Sequence, residues 1–115
     1  MALILVIDDQ DMVRFTVRRI LATKGHEIVE AASADAGLAL YRARLPALVV
    51  TDLRMPDKPG GEIIAELRQS GATARIIAMS GGDGLDLARE LGADATLEKP
   101  FRAEALLTAV ARLIG

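Results

Sequence analysis

Three aspartates, a serine and a lysine stand where short apolar runs stop. Asp8 and Asp9 follow LILVI (3–7), and Asp52 follows ALVVT (47–51). Ser80 closes RIIAMS (75–80), and Lys99 closes ATLEK (95–99) ahead of Pro100. Adjacent carboxylates repel, and burying either one is costly, so the group needs a positive partner. Oxygen donors alone suit a hard cation, with Mg²⁺ the natural choice. Asp9 and Asp52 are the expected direct carboxylate ligands, and Asp8 acts through water. The backbone carbonyl of Arg54 offers one more oxygen. With the ion in place a phosphoryl group can approach a carboxylate, which then acts as a nucleophile and becomes an aspartyl-phosphate. Phosphoryl transfer asks a protein mainly for positioning and charge neutralisation. Lys99 supplies positive charge and Ser80 a hydroxyl donor. Asp52 is the expected nucleophile, because it stands alone between the acidic pair and the Ser80/Lys99 side.

These residues need a scaffold that brings four run ends together, and the rest of the chain reads as one. Apolar residues recur at helical spacing in 11–24, with Asp11 expected as the N-cap and Gly25 as the stop. HEIVEA (26–31) reads as a short strand, and Ser33 can cap a helix over 34–44. Asp52 to Gly60 is a Pro- and Gly-rich loop, followed by helices over 61–70, 85–91 and 102–114, with GGDG (81–84) as a loop. Five strands alternate strictly with five helices, which predicts an α/β fold with a parallel sheet and helices on both faces. The first, third and fourth strands are nearly all apolar, as strands buried on both sides are. The second and fifth carry Glu27, Glu30, Thr96 and Glu98 and read as edges. Right-handed crossovers then favour the order 2-1-3-4-5, a flavodoxin-like doubly wound sheet with its site outside the carboxyl ends of the strands.

Composition narrows the function. The 115 residues suit a single domain over 1–115, with no output domain expected within it. Net charge is −2 with no basic stripe, so nucleic-acid binding has little electrostatic support. Cysteine is absent, which excludes disulfides, thiolate metal sites and thiol catalysis, and one histidine, His26, cannot make a multi-histidine metal site. The opening apolar run is too short to span a bilayer and leads into Asp8-Asp9. A soluble, cytoplasmic protein is expected, with His26 exposed beside an edge strand.

The ordered set Asp8-Asp9, Asp52-Leu53-Arg54-Met55-Pro56 with Gly60, Ser80-Gly81 and Lys99-Pro100-Phe101 resembles a response-regulator receiver domain. That family is the phosphoacceptor module of two-component signalling, and the likeness covers essentially the whole chain. The resemblance implies phosphorylation at Asp52, Mg²⁺ held by Asp8, Asp9 and Asp52, phosphoryl sensing by Ser80 and Lys99, and a cis Lys99–Pro100 peptide. It implies a sensor histidine kinase or histidine-phosphotransfer protein as phosphodonor. A downstream protein or separate output domain, or a second copy of the chain, would read the face made by helix 85–91, strand 95–99 and helix 102–114. It implies a phosphoacceptor that assists its own phosphorylation and dephosphorylation rather than an enzyme acting on a separate substrate.

Some positions depart from the family pattern. Thr96 stands where an aromatic switch residue is usual, so either Thr96 signals in a smaller way or the change runs through loop 81–84. Pro59 replaces an acidic or amide residue. Arg54 either covers the phosphoryl group or is a solvated side chain. Arg14, Arg18 and Arg19 are most simply a solvated helix face, or else help dock the kinase. Leu107 or Ile114 is expected to leave an apolar patch, while Met55 and Phe101 read as packing residues. Three other functions compete. A haloacid-dehalogenase-like phosphatase needs Asp-x-Asp, and Arg54 cannot donate the proton. A flavodoxin-like cofactor site would meet repulsion from Asp8-Asp9. A degenerate receiver serving only as a docking module is opposed by the complete acidic trio.

Overall fold

Side chains alternate between the two faces of a strand, and here that alternation separates two cores. The computed structural model describes residues 1–58 and 61–115. Pro59 and Gly60, both singled out in the sequence, lie outside the described residues. Among the described residues the chain runs β1 (Leu3–Ile7), α1 (Asp11–Ala22), β2 (Glu27–Ala31), α2 (Ala34–Arg44), β3 (Leu48–Asp52), α3 (Glu62–Gln69), β4 (Arg75–Ser80), α4 (Leu85–Leu91), β5 (Ala95–Glu98) and α5 (Ala103–Ile114). The five strands are parallel in the order β2-β1-β3-β4-β5, the expected α/β doubly wound sheet. No described helix is long and apolar enough to cross a membrane.

Ile4 and Val6 of β1, Leu48 and Val50 of β3, and Ile77 and Met79 of β4 face one way. Val17 and Leu21 of α1 and Leu106 and Val110 of α5 cover them. The intervening residues Leu5, Ile7, Val49, Ile76 and Ala78 face the other way, under α2, α3 and Ala88 of α4. The same parity runs on past the strand ends. Asp8, Asp52 and Lys99 continue the α1/α5 side, and Ser80 continues the side under α3 and α4. Register sets their height. Ile7 pairs with Thr51 across β1 and β3, so Asp8 and Asp52 come next to each other one residue on.

Several local expectations are corrected by the packing. Gln10, not Asp11, is the N-cap of α1, and it makes no side-chain cap hydrogen bond. The turn is closed from the other side, by Asp8 Oδ1 accepting from the Gln10 N–H at 2.9 Å. Asp11 is thereby displaced into the first helical turn, where it pairs with Arg14. Arg14 is no solvated residue. Its side chain is 14% exposed, donates to the Asp8 carbonyl at 2.6 Å and lies 3.4 Å from Glu30. His26 is half-buried, with Nδ1 accepting from the Ala2 N–H at 3.1 Å, and burial lowers its pKa. Leu107 and Ile114 are half-buried against the α1/α5 core. The large exposed apolar side chains are instead Met1, Met12, Phe15, Leu45 and Leu87. Ser33 does cap α2, accepting from the Ala36 N–H, and Met55 is buried in the opposite core.

Candidate functional site

Four strand ends meet at the carboxyl edge of the sheet. Asp8, Asp9 and Asp52 each offer a carboxylate oxygen, and these oxygens all lie within 4.8 Å of one another. Asp8 is fully buried and Asp52 nearly so, while Asp9 is exposed. Lys99 reaches across from beyond β5. Its Nζ lies 2.8 Å from Asp8 Oδ2 and 3.4 Å from Asp52 Oδ1. The peptide that follows, Lys99–Pro100, is cis.

The three carboxylates are held differently. Asp8 accepts from the Gln10 N–H and from Lys99, which occupies both of its oxygens. Asp52 Oδ1 accepts from the Leu53 N–H at 3.0 Å and lies near Lys99. Asp52 Oδ2 has no donor among the described residues. Burial first, and then the charge of Asp8, push the Asp52 carboxyl above its ordinary value, and Lys99 only partly offsets this. Burial alone would lower the Lys99 pKa, but the Asp8 hydrogen bond and both carboxylate charges outweigh it and hold the ammonium above its usual value. One cation therefore serves two buried anions. The all-oxygen donor set and its excess negative charge fit a hard divalent ion. Asp8, Asp9 and Asp52 are the residues that would hold it.

The flanking side chains are tied to one another. The Ser80 hydroxyl donates to the Asp83 carbonyl at 2.5 Å, in the loop between β4 and α4. Arg54 Nη2 lies 3.0 Å from Asp83 Oδ2, which joins the loop after β3 to that same loop. Thr96 Oγ1 accepts from Arg89 of α4 at 2.6 Å. A polar clasp thus links α4 to β5 at the position that lacks an aromatic ring. Asp57 closes the rim on the α2 side, where its carboxylate accepts from the N–H groups of Ala34 and Asp35. Asp83, Arg89 and Asp57 were given no role in the sequence, and Arg14 was read there as part of a solvated helix face or a kinase-docking residue. The contacts that matter here, Arg54 to Asp83, Arg89 to Thr96, Asp57 to the start of α2 and Arg14 to Asp8, join different elements.

A doubly wound parallel sheet thus carries an acidic trio and a lysine at its carboxyl edge. Comparison with known proteins then places the chain. The family model described as "Response regulator receiver domain" matches residues 4–111, and the chain belongs to that family. It is 39% identical to the transcriptional regulatory protein FixJ of Azorhizobium caulinodans, over 96% of this chain and 54% of FixJ. It is 33% identical to the chemotaxis protein CheY of Bacillus subtilis, over 97% of each. Several of the curated relatives are longer proteins of which the chain spans about half. Among solved structures, a response regulator receiver domain protein from Clostridium thermocellum superimposes with a TM-score of 0.91 at 30% identity, covering 99% of this chain and 94% of that one. CheY4 of Vibrio cholerae gives 0.89 at 27% identity, covering 99% of each. The chain is thus a receiver domain of the two-component phosphorelay class.

Proposed function

We propose that this receiver accepts a phosphoryl group on Asp52 from the phosphohistidine of a partner kinase or phosphotransfer protein, in a Mg²⁺-dependent step. The observation that carries the reading is the clustering of Asp8, Asp9 and Asp52 within 4.8 Å, with Lys99 on two of the three. An Asp52 oxygen, with Oδ2 the one left without a described donor, attacks phosphorus. An O–P bond forms, the P–N bond breaks, and its electron pair stays on the imidazole nitrogen. Lys99 balances the added negative charge. Mg²⁺ held by Asp8, Asp9, Asp52 and the Arg54 carbonyl would supply charge neutralisation for the incoming group. Hydrolysis returns the carboxylate, so the domain assists its own phosphorylation and dephosphorylation without turning over a separate substrate.

Signal output follows from what Ser80 holds. A phosphoryl oxygen on Asp52 competes with the Asp83 carbonyl for the Ser80 hydroxyl. Moving that hydroxyl shifts loop 81–84 and α4, and the Arg89–Thr96 clasp carries the shift to β5. The α4-β5-α5 face is then read by a downstream protein, an output domain or a second copy of the chain, in the cytoplasm and with no nucleic acid or membrane bound by this domain.

The test is intact mass after incubation with Mg²⁺ and a small phosphodonor, on the wild type and on Asp52→Asn. A single phosphoryl adduct that requires Mg²⁺ and vanishes in the variant is expected. An adduct that persists in Asp52→Asn would remove Asp52 from the role. A folded, Mg²⁺-binding wild type that takes up neither the phosphoryl group nor beryllofluoride would leave the docking module as the better reading.

A further inference from the structure

Asp9 is the member of the acidic trio whose carboxylate has no hydrogen-bond or ion-pair partner among the described residues. Asp8 is fixed by the Gln10 N–H and Lys99, and Asp52 by the Leu53 N–H and Lys99. Asp9 is exposed, yet one of its oxygens stands with theirs. The backbone that carries it therefore sets its direction. The peptide joining Asp8 to Asp9 has its carbonyl on Asp8, and Arg14 Nη1 donates to that carbonyl at 2.6 Å. We propose that Arg14 is a positioning residue for the divalent ion: it fixes the plane of the Asp8–Asp9 peptide, so that Asp9 presents its carboxylate to the ion without rearrangement. This rests on the reading of Asp8, Asp9 and Asp52 as the residues that hold the ion.

The guanidinium is itself held in place. Its Nη2 pairs with Asp11 in the first turn of α1, and its Nε lies 3.4 Å from Glu30 of β2. Glu30 stands opposite Val6 in the β1–β2 register, two residues before Asp8, and Arg18 steadies it from the next turn of α1 at 3.3 Å. One planar fork thus ties the end of β1 to α1 and to β2. The fixed donors of a guanidinium meet three such acceptors at once, and the compact centre of an ammonium does not. The Arg14 side chain is largely buried, so water competes little for its bond to the Asp8 carbonyl.

Charge and position predict opposite signs. Arg14 is a cation beside a cation site, so by charge alone its loss would tighten ion binding. Asp11 and Glu30 offset that charge, which leaves the pinned peptide as the larger effect. Partners that orient the ligands of a metal typically carry about 10- to 100-fold in its affinity. Ion selectivity separates the two accounts as well. Mg²⁺ demands near-ideal octahedral ligands at short distance, while Ca²⁺ accepts a looser and more variable shell. A misdirected Asp9 therefore costs Mg²⁺ more than Ca²⁺, whereas a change of charge or a loss of stability moves both ions alike.

The experiment measures Mg²⁺ and Ca²⁺ affinities by calorimetry, well below Tm, on the full chain as wild type, Arg14→Ala and Arg14→Lys, with circular dichroism reporting the fold. Arg14→Ala should weaken Mg²⁺ binding by about ten-fold or more and Ca²⁺ binding by less. Arg14→Lys should weaken Mg²⁺ in the same sense by a smaller factor, although the charge is unchanged, and it carries the test alone if Arg14→Ala does not fold. Mg²⁺ binding that is unchanged or tighter in a folded variant would overturn the proposal. So would equal losses for the two ions, which mark a general loss of structure. A wild type that binds neither ion would sink the positioning role together with the ion site. A wild type that binds Mg²⁺ in this Arg14-dependent way but takes no phosphoryl group would uphold the positioning role and sink the phosphoacceptor reading alone.

Discussion

Asp52 is kept at a disadvantage that its proposed role explains. Its carboxyl is pushed above the ordinary 3.8 by burial and then by Asp8. A carboxyl whose folded pKa is raised contributes stability that is fully present below its unfolded value and is lost as pH climbs through the folded value. At neutral pH the Asp52 charge therefore opposes folding. Asp52→Asn should raise Tm by about a few degrees in calorimetry without divalent ions, because it removes the opposing charge. Mg²⁺ should raise the wild-type Tm and raise that of Asp52→Asn less, because the ion binds the folded carboxylates. Proton and metal compete for the same oxygens. Mg²⁺ affinity should therefore fall on acidification from a pH above the ordinary aspartate value, which a titration series by calorimetry can follow. A fall only below 3.8 would remove the electrostatic account of the site.

The helices are seated to tolerances that composition does not reveal. Gly37 lies inside α2, where alanine would ordinarily add about 1 kcal/mol of helix stability. A Cβ there would collide with the Ile7 side chain, on the residue just before Asp8. Gly37→Ala should destabilise the protein in urea by about 1–3 kcal/mol, as overpacked cores do, and should disturb the acidic edge through β1. The other end of the sheet is laced by Arg68 of α3. It donates to the carbonyls of Gly92, Ala72 and Ala74 and pairs with Asp94 at 2.9 Å. Little of this network touches the site, so its loss should lower Tm while leaving phosphoryl uptake per folded molecule unchanged.

One face beside the acidic edge is apolar. Met12, Val13, Thr16, Val17, Lys99, Pro100 and Phe101 line a groove of about 400 Å³, with Met12 72% exposed. It adjoins the lysine that touches Asp8 and Asp52, so a partner seated there would deliver its phosphohistidine to the pocket. Met12→Asp should slow transfer from a phosphohistidine protein and leave uptake from a small phosphodonor at the wild-type rate. Equal slowing with both donors would place the defect in the pocket rather than in docking.

Strand order, the two-sided core and the acidic trio with Lys99 are legible in the sequence, because they follow from periodic burial and from where apolar runs stop. The alternation even assigns Asp8, Asp52 and Lys99 to one side of the sheet and Ser80 to the other, a signal present in the residue parity. Contacts between separate loops were not legible. Asp83 under Ser80 and Arg54, Arg89 on Thr96, and Arg14 beneath Asp8 depend on register, packing depth and loop path together, and no local pattern encodes those. The same holds for the exposed apolar surface. Helical spacing shows that α1 and α5 each have an apolar face. Their relative seating on the sheet buries much of Leu107 and Ile114 and leaves Met12 and Phe15 in water.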